Sequence, residues 1–374
     1  MTTPLAGTSA RVAPPFRAEH VGSLLRPRAL KDAHRDLRDG RVTPDGIRGV
    51  EDRCVGDAVK LQEDLGFEVI TDGEFRRGSW FLGFVEAVDG LGLEKARFRF
   101  HGGVTGADWF GPKVTSKVAR RRGITTAEFR FVRSLTRHTP KVTLPTPSAM
   151  HFFVGPEGLD TAAYPDLKSF FTDLARVYRE ELADLARLGC TYVQLDEVPL
   201  ALLCDEVVRD AVRARGEDPI VLTDFYVAAV NAALEGRPAG MTVGMHLCRG
   251  NYKSGWIAAG GYDAVAERLF NDAHVDAFFL EYDTPRAGGF APLRFVPAHK
   301  TVVLGLVSTK TPVLEDATAL ARRVDEASRY VPLDRLAVSP QCGFASSAAG
   351  NPLTAEDQAA KLGLVARVAR EVWT

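Results

Sequence analysis

The sequence predicts an α/β fold, a single (β/α)8 TIM barrel with an insertion after its second strand. One observation is a recurring unit, in which an amphipathic helix ends at a glycine and a short apolar run then leads to polar or ionisable residues. Eight such runs can be counted, which is the number of strands that a closed barrel of this kind needs. The chain of 374 residues is also long enough for one such barrel and a large buried core.

The predicted strands alternate with helical patterns along most of the chain. A helical stripe over residues 50–65 ends at Gly66, and a longer one that starts at Leu167 ends at Gly189. Glycine just past a helix is a common C-terminal signal, and short apolar runs between helices are typical of parallel βαβ units. The eight apolar runs span residues 16–21, 68–71, 141–144, 191–195, 242–247, 277–280, 301–306 and 335–338.

The stretch between the second and third predicted strands is too long for an ordinary βα loop. We expect an excursion at about residues 75–140 that folds as a short hairpin or helices over the barrel mouth. It carries Trp80, Trp109 and Phe110, which either close the mouth or pack against a second subunit. The predicted domain plan is a flexible N-terminal tail over residues 1–15 and one barrel over residues 16–374.

The composition limits the classes of partner. Lys and Arg total 47 against 48 Asp and Glu, so the net charge of −1 argues against a nucleic-acid partner. We expect no membrane partner, because no uninterrupted apolar stretch is long enough to span a bilayer, and residues 1–15 lack the pattern of a signal peptide. Five scattered cysteines are a poor disulfide framework and favour a reducing compartment. The expectation is a cytoplasmic protein, and its size makes a homodimer possible by analogy alone.

Polar and ionisable residues follow nearly every predicted strand, where barrels of this class build their active sites. Four of them are of zinc-ligand type: His246, Cys248, Glu281 and Cys342. The His-x-Cys pair lies on an extended segment, so both side chains point to the same face. Each residue alone is better explained by packing or a salt bridge, but together they favour a metal site. The other three cysteines, Cys54, Cys190 and Cys204, are predicted to be packing residues.

The acidic residues at the strand ends have two interpretations. Glu74, Asp196 and Glu197 either pair with arginines such as Arg77, or hold a substrate ammonium group or act in proton transfer. We favour the binding role, because a metal would already supply the chemistry. His20, after the first predicted strand, is either a substrate contact or a structural histidine, and the sequence leaves both open.

With these residues assembled, the chain resembles the cobalamin-independent methionine synthase family, specifically its catalytic barrel and short single-barrel relatives. The motifs that carry the resemblance are Val21-Gly22-Ser23, Asp72-Gly73-Glu74, Gln194-Leu195-Asp196-Glu197, His246-x-Cys248, Glu281 and Cys342. The resemblance implies that His246, Cys248, Glu281 and Cys342 bind a catalytic Zn2+ that holds the thiol of homocysteine. It also implies that Ser23 and its backbone hold the substrate carboxylate, and that Glu74 and Asp196 hold its amino group.

Two positions depart from the family pattern. Lys310 stands after the seventh strand, where the family has a histidine for proton handling, and we assign the catalytic role to this lysine. The segment Pro147-Ser148-Ala149-Met150 follows the third strand, where the family has a tryptophan that stacks on folate. The identity of the methyl or alkyl donor therefore stays open.

The leading hypothesis is a zinc-dependent thiol alkyltransferase that methylates homocysteine to methionine. One alternative is alkyl transfer to another small thiol, as in coenzyme M chemistry on epoxides, with Arg249 and Arg286 available for a sulfonate. A second is a lyase that resembles uroporphyrinogen decarboxylase, which shares this fold without zinc. A third is a zinc-binding or thiol-binding protein with no catalytic activity.

Overall fold

The computed structural model describes residues 13–102 and 109–373, so most of the predicted N-terminal tail lies outside the described residues. The strands are β1 (Val69–Ile70), β2 (Val88–Lys95), β3 (Phe110–Arg120), β4 (Thr139–Pro140), β5 (Val142–Pro145), β6 (Tyr192–Glu197), β7 (Thr242–Leu247), β8 (Ala277–Glu281), β9 (Thr301–Val307) and β10 (Leu336–Pro340). The helices are α1 (Arg28–Arg38), α2 (Pro44–Asp64), α3 (Leu82–Ala87), α4 (Thr126–Leu135), α5 (Ala149–Phe152), α6 (Leu167–Arg187), α7 (Pro199–Leu202), α8 (Glu206–Ala214), α9 (Pro219–Leu234), α10 (Ala266–Asp272), α11 (Ala317–Ser328) and α12 (Ala355–Val372).

The two predicted long helices end where the sequence predicts, and α2 begins earlier than predicted, at Pro44. Thr43 caps α2 and Asp166 caps α6, each accepting a hydrogen bond from a backbone N–H of the first turn. Gly66 and Gly189 follow these helices with φ of 84° and 85°, a left-handed conformation that glycine adopts without steric cost. The predicted glycine stops are therefore confirmed, and each one turns the chain toward a strand.

The centre of the molecule is a six-stranded parallel sheet in the order β10-β9-β8-β7-β6-β5. Its strands are buried along nearly their whole length, as expected of a parallel sheet that is covered on both faces. Six of the predicted runs are these six strands, and the run at residues 68–71 contains β1, which pairs with β4 in parallel. The carboxyl ends of the six strands therefore share one edge of the sheet.

The first predicted run, residues 16–21, does not form a strand. It meets β10 at a single bridge between Ala18 and Val338, where Glu19 N donates to Val338 O at 2.9 Å. Side chains satisfy its later carbonyls instead, because Lys141 Nζ donates to His20 O and Gln194 Nε2 donates to Val21 O. Since interior side chains take these backbone groups, no second ladder forms here, and the described strands are one six-stranded sheet and two pairs rather than one eight-stranded ladder.

The insertion after β1 contains α3, the antiparallel hairpin β2–β3, and α4. The hairpin is fastened to the body of the protein by polar contacts. Val118 N donates to the Tyr164 hydroxyl at 2.8 Å, and Arg120 forms salt bridges with Glu181 and Asp184. The insertion therefore contains both a hairpin and helices.

Three further findings concern the sequence-based expectations. All five cysteines are free thiols. Cys54 and Cys190 lie in the hydrophobic core and Cys204 packs against it, which confirms their predicted packing role. Among the residues that the structure describes, no helix is both long enough and apolar enough to span a membrane.

Candidate active site

A cavity of about 220 Å³ lies where the segments that follow β6, β7 and β10 meet the insertion. Six of the predicted metal-binding and substrate-binding residues line it: Ser23, Glu74, Asp196, His246, Cys248 and Cys342. Its other walls include aromatic side chains of the insertion, among them Trp80 and Trp109. Parallel strands bring their carboxyl ends to one edge, which is why residues far apart in the chain share this cavity.

Three metal-ligating side chains converge on one wall of the cavity. One ligand atom each of His246, Cys248 and Cys342 lies within 4.8 Å of the other two, and all three residues are buried. The two sulfur atoms are 3.4 Å apart. Both ring nitrogens of His246 are buried and neither has an oxygen or nitrogen partner, and the imidazole interacts with the Cys342 thiol, so a nitrogen is available to a ligand. One nitrogen and two sulfur donors at this spacing fit zinc.

The two thiols differ in acidity because they interact. Cys248 and Cys342 share a hydrogen bond, which holds the pKa of Cys342 well below its ordinary value, and the neighbouring His246 lowers it further. The same hydrogen bond and burial raise the pKa of Cys248 well above its ordinary value. Burial opposes a charged His246, but the adjacent Cys342 outweighs it, so the pKa of the imidazole is raised. The cluster thus favours a thiolate at Cys342 beside a cation, the form in which cysteine binds metals.

Glu281, the fourth predicted ligand, is not in this group in the structure. It is fully buried at the end of β8, where Arg286 Nη2 donates to its Oε1 at 2.6 Å and Arg249 N donates to its Oε2 at 3.2 Å. The guanidinium of Arg249 is also buried and donates to Gly260 O and to the Tyr262 hydroxyl. Neither arginine lines the cavity.

Two carboxylates stand on the cavity wall next to the cluster. Glu74 has a φ of 61°, which is uncommon for a residue with a side chain, and its Oε1 accepts from Thr143 Oγ1 at 3.0 Å. Its other oxygen, Oε2, is buried without a partner. Asp196 is the register partner of His246 across β6 and β7, and its Oδ1 accepts from Gln194 Nε2 at 2.7 Å.

The electrostatics of this carboxylate pair favour a cationic ligand. Burial and then the negative charge of Glu74 raise the pKa of Asp196 to about 7. Burial also raises the pKa of Glu74, although Arg77 and Arg26 oppose it. Arg77, 3.2 Å from Glu74 Oε1, already offsets one of the two negative charges, and a bound ammonium would offset the other.

Ser23 approaches the cluster closely because the residue opposite it is glycine. A Cβ atom at Gly343 would lie 1.9 Å from Ser23 Oγ, so the hydroxyl occupies the space that any other residue would fill. Ser23 O also accepts from Phe344 N at 3.0 Å, which ties the first segment to the loop that carries Cys342. Its hydroxyl therefore lies against Gly343, the residue that follows Cys342.

His20 and Glu197 lie outside the cavity lining. His20 Nε2 contacts Val69 O at 3.2 Å, and burial lowers the pKa of its imidazole to about 3. Glu197 Oε2 accepts from Ser148 Oγ at 2.7 Å and its Oε1 accepts from Leu200 N at 2.8 Å. Both carboxylate oxygens of Glu197 thus accept hydrogen bonds from residues of the same chain.

Lys310 is also buried away from the cavity lining. Its Nζ donates to Gly250 O at 3.0 Å, to Asn251 Oδ1 at 3.2 Å and to Gly255 O at 3.3 Å. These acceptors belong to the loop after Cys248. The ammonium group therefore holds a loop that lines the cavity.

The sequence analysis missed several lining residues. Phe100, Phe153 and Tyr252 line the cavity with Trp80 and Trp109, and none of the three follows a predicted strand directly. Asn251 links three loops, because its Nδ2 donates to Gly343 O at 2.8 Å while its Oδ1 accepts from Lys310 and Asn351. The tryptophans of the insertion could have indicated an aromatic lining. No local sequence pattern indicates where the loop that contains Asn251 runs.

Comparison with protein families gives one match across almost the whole chain. The model of the cobalamin-independent synthase catalytic domain matches residues 16–369. Two proteins of Bacillus subtilis (strain 168) are each 40% identical: the uncharacterized protein YxjH over 363 residues (96% of this chain and 95% of YxjH) and the uncharacterized protein YxjG over 378 residues (100% and 99%). A methionine synthase of Pyrococcus abyssi is 27% identical over 331 residues, which are 87% of this chain and 85% of that protein.

Solved structures give the same match. The putative vitamin-B12-independent methionine synthase of Listeria monocytogenes superposes with a TM-score of 0.75 at 32% identity, covering 96% of this chain and 98% of that one. A B12-independent methionine synthase from Shewanella sp. W3-18-1 has a TM-score of 0.74 at 20% identity, covering 95% and 97%, which shows a shared fold.

Proposed function

The chain belongs to the cobalamin-independent methionine synthase family, and from that premise we propose that it is a zinc-dependent thiol methyltransferase that converts homocysteine to methionine. The observation that carries the proposal is the convergence of His246, Cys248 and Cys342 on a cavity that also holds Glu74 and Asp196. The three metal-ligating side chains suit the thiol of a substrate such as homocysteine, and the two carboxylates beside them suit its ammonium group. We further propose that the protein acts in the cytoplasm.

In this proposal His246, Cys248 and Cys342 hold the zinc, and Glu281 is the fourth ligand after a shift of its carboxylate. When bound, zinc stabilises the thiolate form of an acceptor thiol, whose free pKa is about 8.5. Glu74 and Asp196 hold the substrate ammonium, supported by the unpartnered Oε2 of Glu74. Ser23 and the backbone near it hold the substrate carboxylate.

We propose positioning roles for the other predicted residues. Lys310, to which the sequence analysis assigns catalysis, donates to three oxygen atoms of one loop, which supports a role in holding that loop against the cavity. Glu197 accepts a hydrogen bond from Leu200 N and thereby orients the turn after β6. His20 packs edge-on against Phe67 under the site.

We propose that residues 16–374 form one closed barrel of the (β/α)8 class with the excursion at about residues 75–140, in which the run at residues 16–21 takes the place of a strand through its single bridge to β10. Two contacts support closure. At the β10 edge of the sheet, Glu19 N donates to Val338 O. At the β5 edge, β4 directly precedes β5 in the chain and pairs with β1. The buried ion pair between Lys141 and Glu19, 3.1 Å apart, spans the interior that such a barrel would enclose.

The alternatives receive less support from the contacts. Transfer to a sulfonate-bearing thiol needs a cation at the site, but Arg249 and Arg286 are engaged with Glu281 and its neighbours. A zinc-free lyase gives no reason for the convergence of His246, Cys248 and Cys342. A protein that only binds zinc or thiols is distinguished by the experiment below.

The test combines metal analysis, substrate binding and turnover on the purified full chain. We expect about one zinc per chain, homocysteine binding measured by calorimetry, and methionine formation in a donor screen with methyltetrahydrofolate forms, methylcobalamin and simple methylated metabolites. The absence of zinc overturns the proposal. Zinc and homocysteine binding with no methionine from any donor indicates a binding protein. Turnover with another thiol but not with homocysteine would show that the acceptor is that other thiol.

A further inference from the structure

Arg26 is a buried arginine whose partners are backbone carbonyls. Only 5% of the residue is exposed. Its Nη2 donates to Glu74 O at 2.8 Å and to Arg77 O at 2.9 Å, while its Nη1 donates to Ala345 O at 2.5 Å and to Ser347 O at 3.3 Å. Burial lowers the pKa of the guanidinium to about 10, so the group keeps its charge at neutral pH. An apolar side chain would fill the same space without burying a charge, so packing alone does not account for this arginine.

The four carbonyls belong to two separate segments of the candidate site. Two lie in the turn after β1, which carries the proposed ammonium ligand Glu74. The other two lie in the loop that follows Cys342, in which Ser346 Oγ is 3.6 Å from the Cys342 sulfur. A guanidinium is a planar fork of donors that can be directed at several oxygen atoms at once. Arg26 therefore ties the turn of Glu74 to the loop of Cys342, although it does not line the cavity itself.

Glu74 depends on such contacts because its backbone has a left-handed conformation. Its φ is 61°, a value that is unfavourable for a residue with a side chain and persists only where neighbouring groups impose it. Both of its backbone polar groups are held: Glu74 N donates to Asp72 Oδ1 at 2.8 Å, and Glu74 O accepts from Arg26. In this conformation Glu74 lines the cavity, its Oε1 accepts from Thr143 Oγ1, and its Oε2 has no partner among the described residues. Oε2 is therefore the atom available to a substrate ammonium.

We propose that Arg26 is a positioning residue for recognition of the acceptor's amino group: it holds Glu74 in the left-handed conformation, at a fixed place relative to the Cys342 loop. The site then prefers an aminothiol over a thiol that has no amino group. This inference rests on the proposed function, because it presumes that Glu74 binds the substrate ammonium. Arg26 itself does not touch the substrate and acts through Glu74.

The charge of Arg26 and its positioning role predict opposite effects of its removal. The guanidinium is a cation that partly offsets the charge of Glu74. If Arg26 acted only through its charge, its removal would strengthen the binding of an ammonium, because like charges repel. If Arg26 holds Glu74 in place, its removal lets the turn leave the left-handed conformation, and ammonium binding weakens. The sign of the change therefore separates the two roles.

The first experiment compares two acceptor thiols by calorimetry on the zinc-loaded full chain. 4-Mercaptobutanoate is homocysteine without its amino group, so the ratio of the two affinities reports recognition of the ammonium. We expect the unmodified chain to prefer homocysteine roughly 10- to 100-fold, and Arg26→Met to lower this ratio to about threefold or less. The affinity for 4-mercaptobutanoate and the zinc content should stay within about twofold of the unmodified chain.

Two further variants test whether the geometry of Arg26 is required. Arg28→Met alters a nearby arginine whose side chain is 96% exposed, and it should leave the ratio unchanged. Arg26→Lys keeps the charge but not the planar fork, so it should restore less than about half of the ratio. A full ratio in Arg26→Lys overturns the inference. Arg26→Lys also carries the test if circular dichroism shows that Arg26→Met does not fold.

The second experiment is a double-mutant cycle between Arg26→Met and Glu74→Gln. If Arg26 acts through Glu74, the double variant should lose about as much homocysteine affinity as Glu74→Gln alone, because both changes remove the same interaction. If the two residues acted independently, the two losses of affinity would multiply, and that result overturns the inference.

The outcomes distinguish failure of this inference from failure of the proposed function. An unmodified chain that binds no zinc or no homocysteine overturns both. A ratio that is retained or increased in Arg26→Met overturns the inference alone, and so do equal losses for the two thiols, which indicate general damage to the site. Equal affinity of the unmodified chain for both thiols overturns the inference and the ammonium role of Glu74, while zinc-dependent turnover would still support the proposed function.

Discussion

The sulfur atoms of Cys248 and Cys342 lie 3.4 Å apart, although 94 residues separate them in the chain. They meet because β7 and β10 are parallel strands of one sheet, and the loops after these strands emerge at the same edge. Together with His246 they present three donor atoms in the space that one ion occupies.

Removal of either sulfur should therefore abolish metal binding. We expect Cys248→Ser and Cys342→Ser each to reduce zinc from about one per chain to near zero, because each variant leaves only one thiolate in the proposed four-ligand set. Plasma mass spectrometry of the dialysed protein measures this. Cys54→Ser, which alters a core cysteine distant in the fold, is the control and should keep its zinc. Full zinc in both site variants would refute the assignment.

The contact between Arg286 and Glu281 predicts a role for an arginine outside the cavity. Arg286→Met should weaken zinc binding roughly 10- to 100-fold, since a ligand carboxylate is usually oriented by a hydrogen bond of this kind. Competition with a chromophoric chelator gives the affinity. Arg294→Met, at an exposed arginine, is the matched control. Unchanged or tighter zinc binding in the Arg286 variant would mean that Glu281 is not a ligand or that Arg286 competes with the metal.

The carboxylate pair should govern the affinity for homocysteine. Glu74→Gln and Asp196→Asn each remove one charge from the proposed ammonium site, and a hydrogen bond to a charged group is worth roughly 1.5–3 kcal/mol. We expect the KM for homocysteine to rise roughly 10- to 100-fold with zinc content unchanged. Steady-state kinetics test this, with the exposed Glu180→Gln as control. A normal KM in both variants would place the ammonium elsewhere.

The close approach of Gly343 to Ser23 predicts that the smallest possible side chain is harmful there. In Gly343→Ala the new Cβ would lie 1.9 Å from Ser23 Oγ, so the hydroxyl must move away from the site. The expected result is a weaker affinity for homocysteine in a folded protein, measured by calorimetry and circular dichroism. Gly289→Ala, where no atom lies within 4 Å of the added Cβ, should bind normally. Normal binding by the Gly343 variant would remove Ser23 from the proposed carboxylate site.

Buried His151 predicts how stability changes with pH. Burial, and then the charge of Arg215, lowers the pKa of its imidazole to about 3, while in the unfolded chain the pKa is about 6.5. The unfolded state therefore binds this proton first, and stability falls as the pH drops from about 6.5 toward 3. The loss from this one group is roughly 2 kcal/mol between pH 7 and pH 5.

Denaturant unfolding at a series of pH values measures this slope. In His151→Gln the contribution of this group disappears, so the free energy of unfolding should depend less on pH between 7 and 5. His274→Gln, at an exposed position, should keep the full slope. Parallel pH profiles for the His151 variant and the unmodified chain would contradict the prediction.

The strands and the ligand types were predictable because they depend on local patterns. An apolar run of the right length after a glycine stop becomes a buried parallel strand, and the residue that follows it lies at the sheet edge. That reasoning was sufficient to propose Glu74, Asp196, His246, Cys248 and Cys342 as members of one site, and the structure brings all five to the cavity. It failed for the run at residues 16–21, where interior side chains rather than a neighbouring strand satisfy the backbone.

The arrangement around that set depends on contacts between distant parts of the chain. Glu197 and Lys310 follow predicted strands just as the cavity residues do. Glu197, however, accepts hydrogen bonds from Ser148 and Leu200, and Lys310 donates to the loop after Cys248. The hairpin places Phe100 and Trp109 over the site because Tyr164 and Glu181 fasten it to the body. Residue type and periodicity are properties of short segments, whereas the direction of a side chain at a strand end depends on which partner reaches it first in three dimensions.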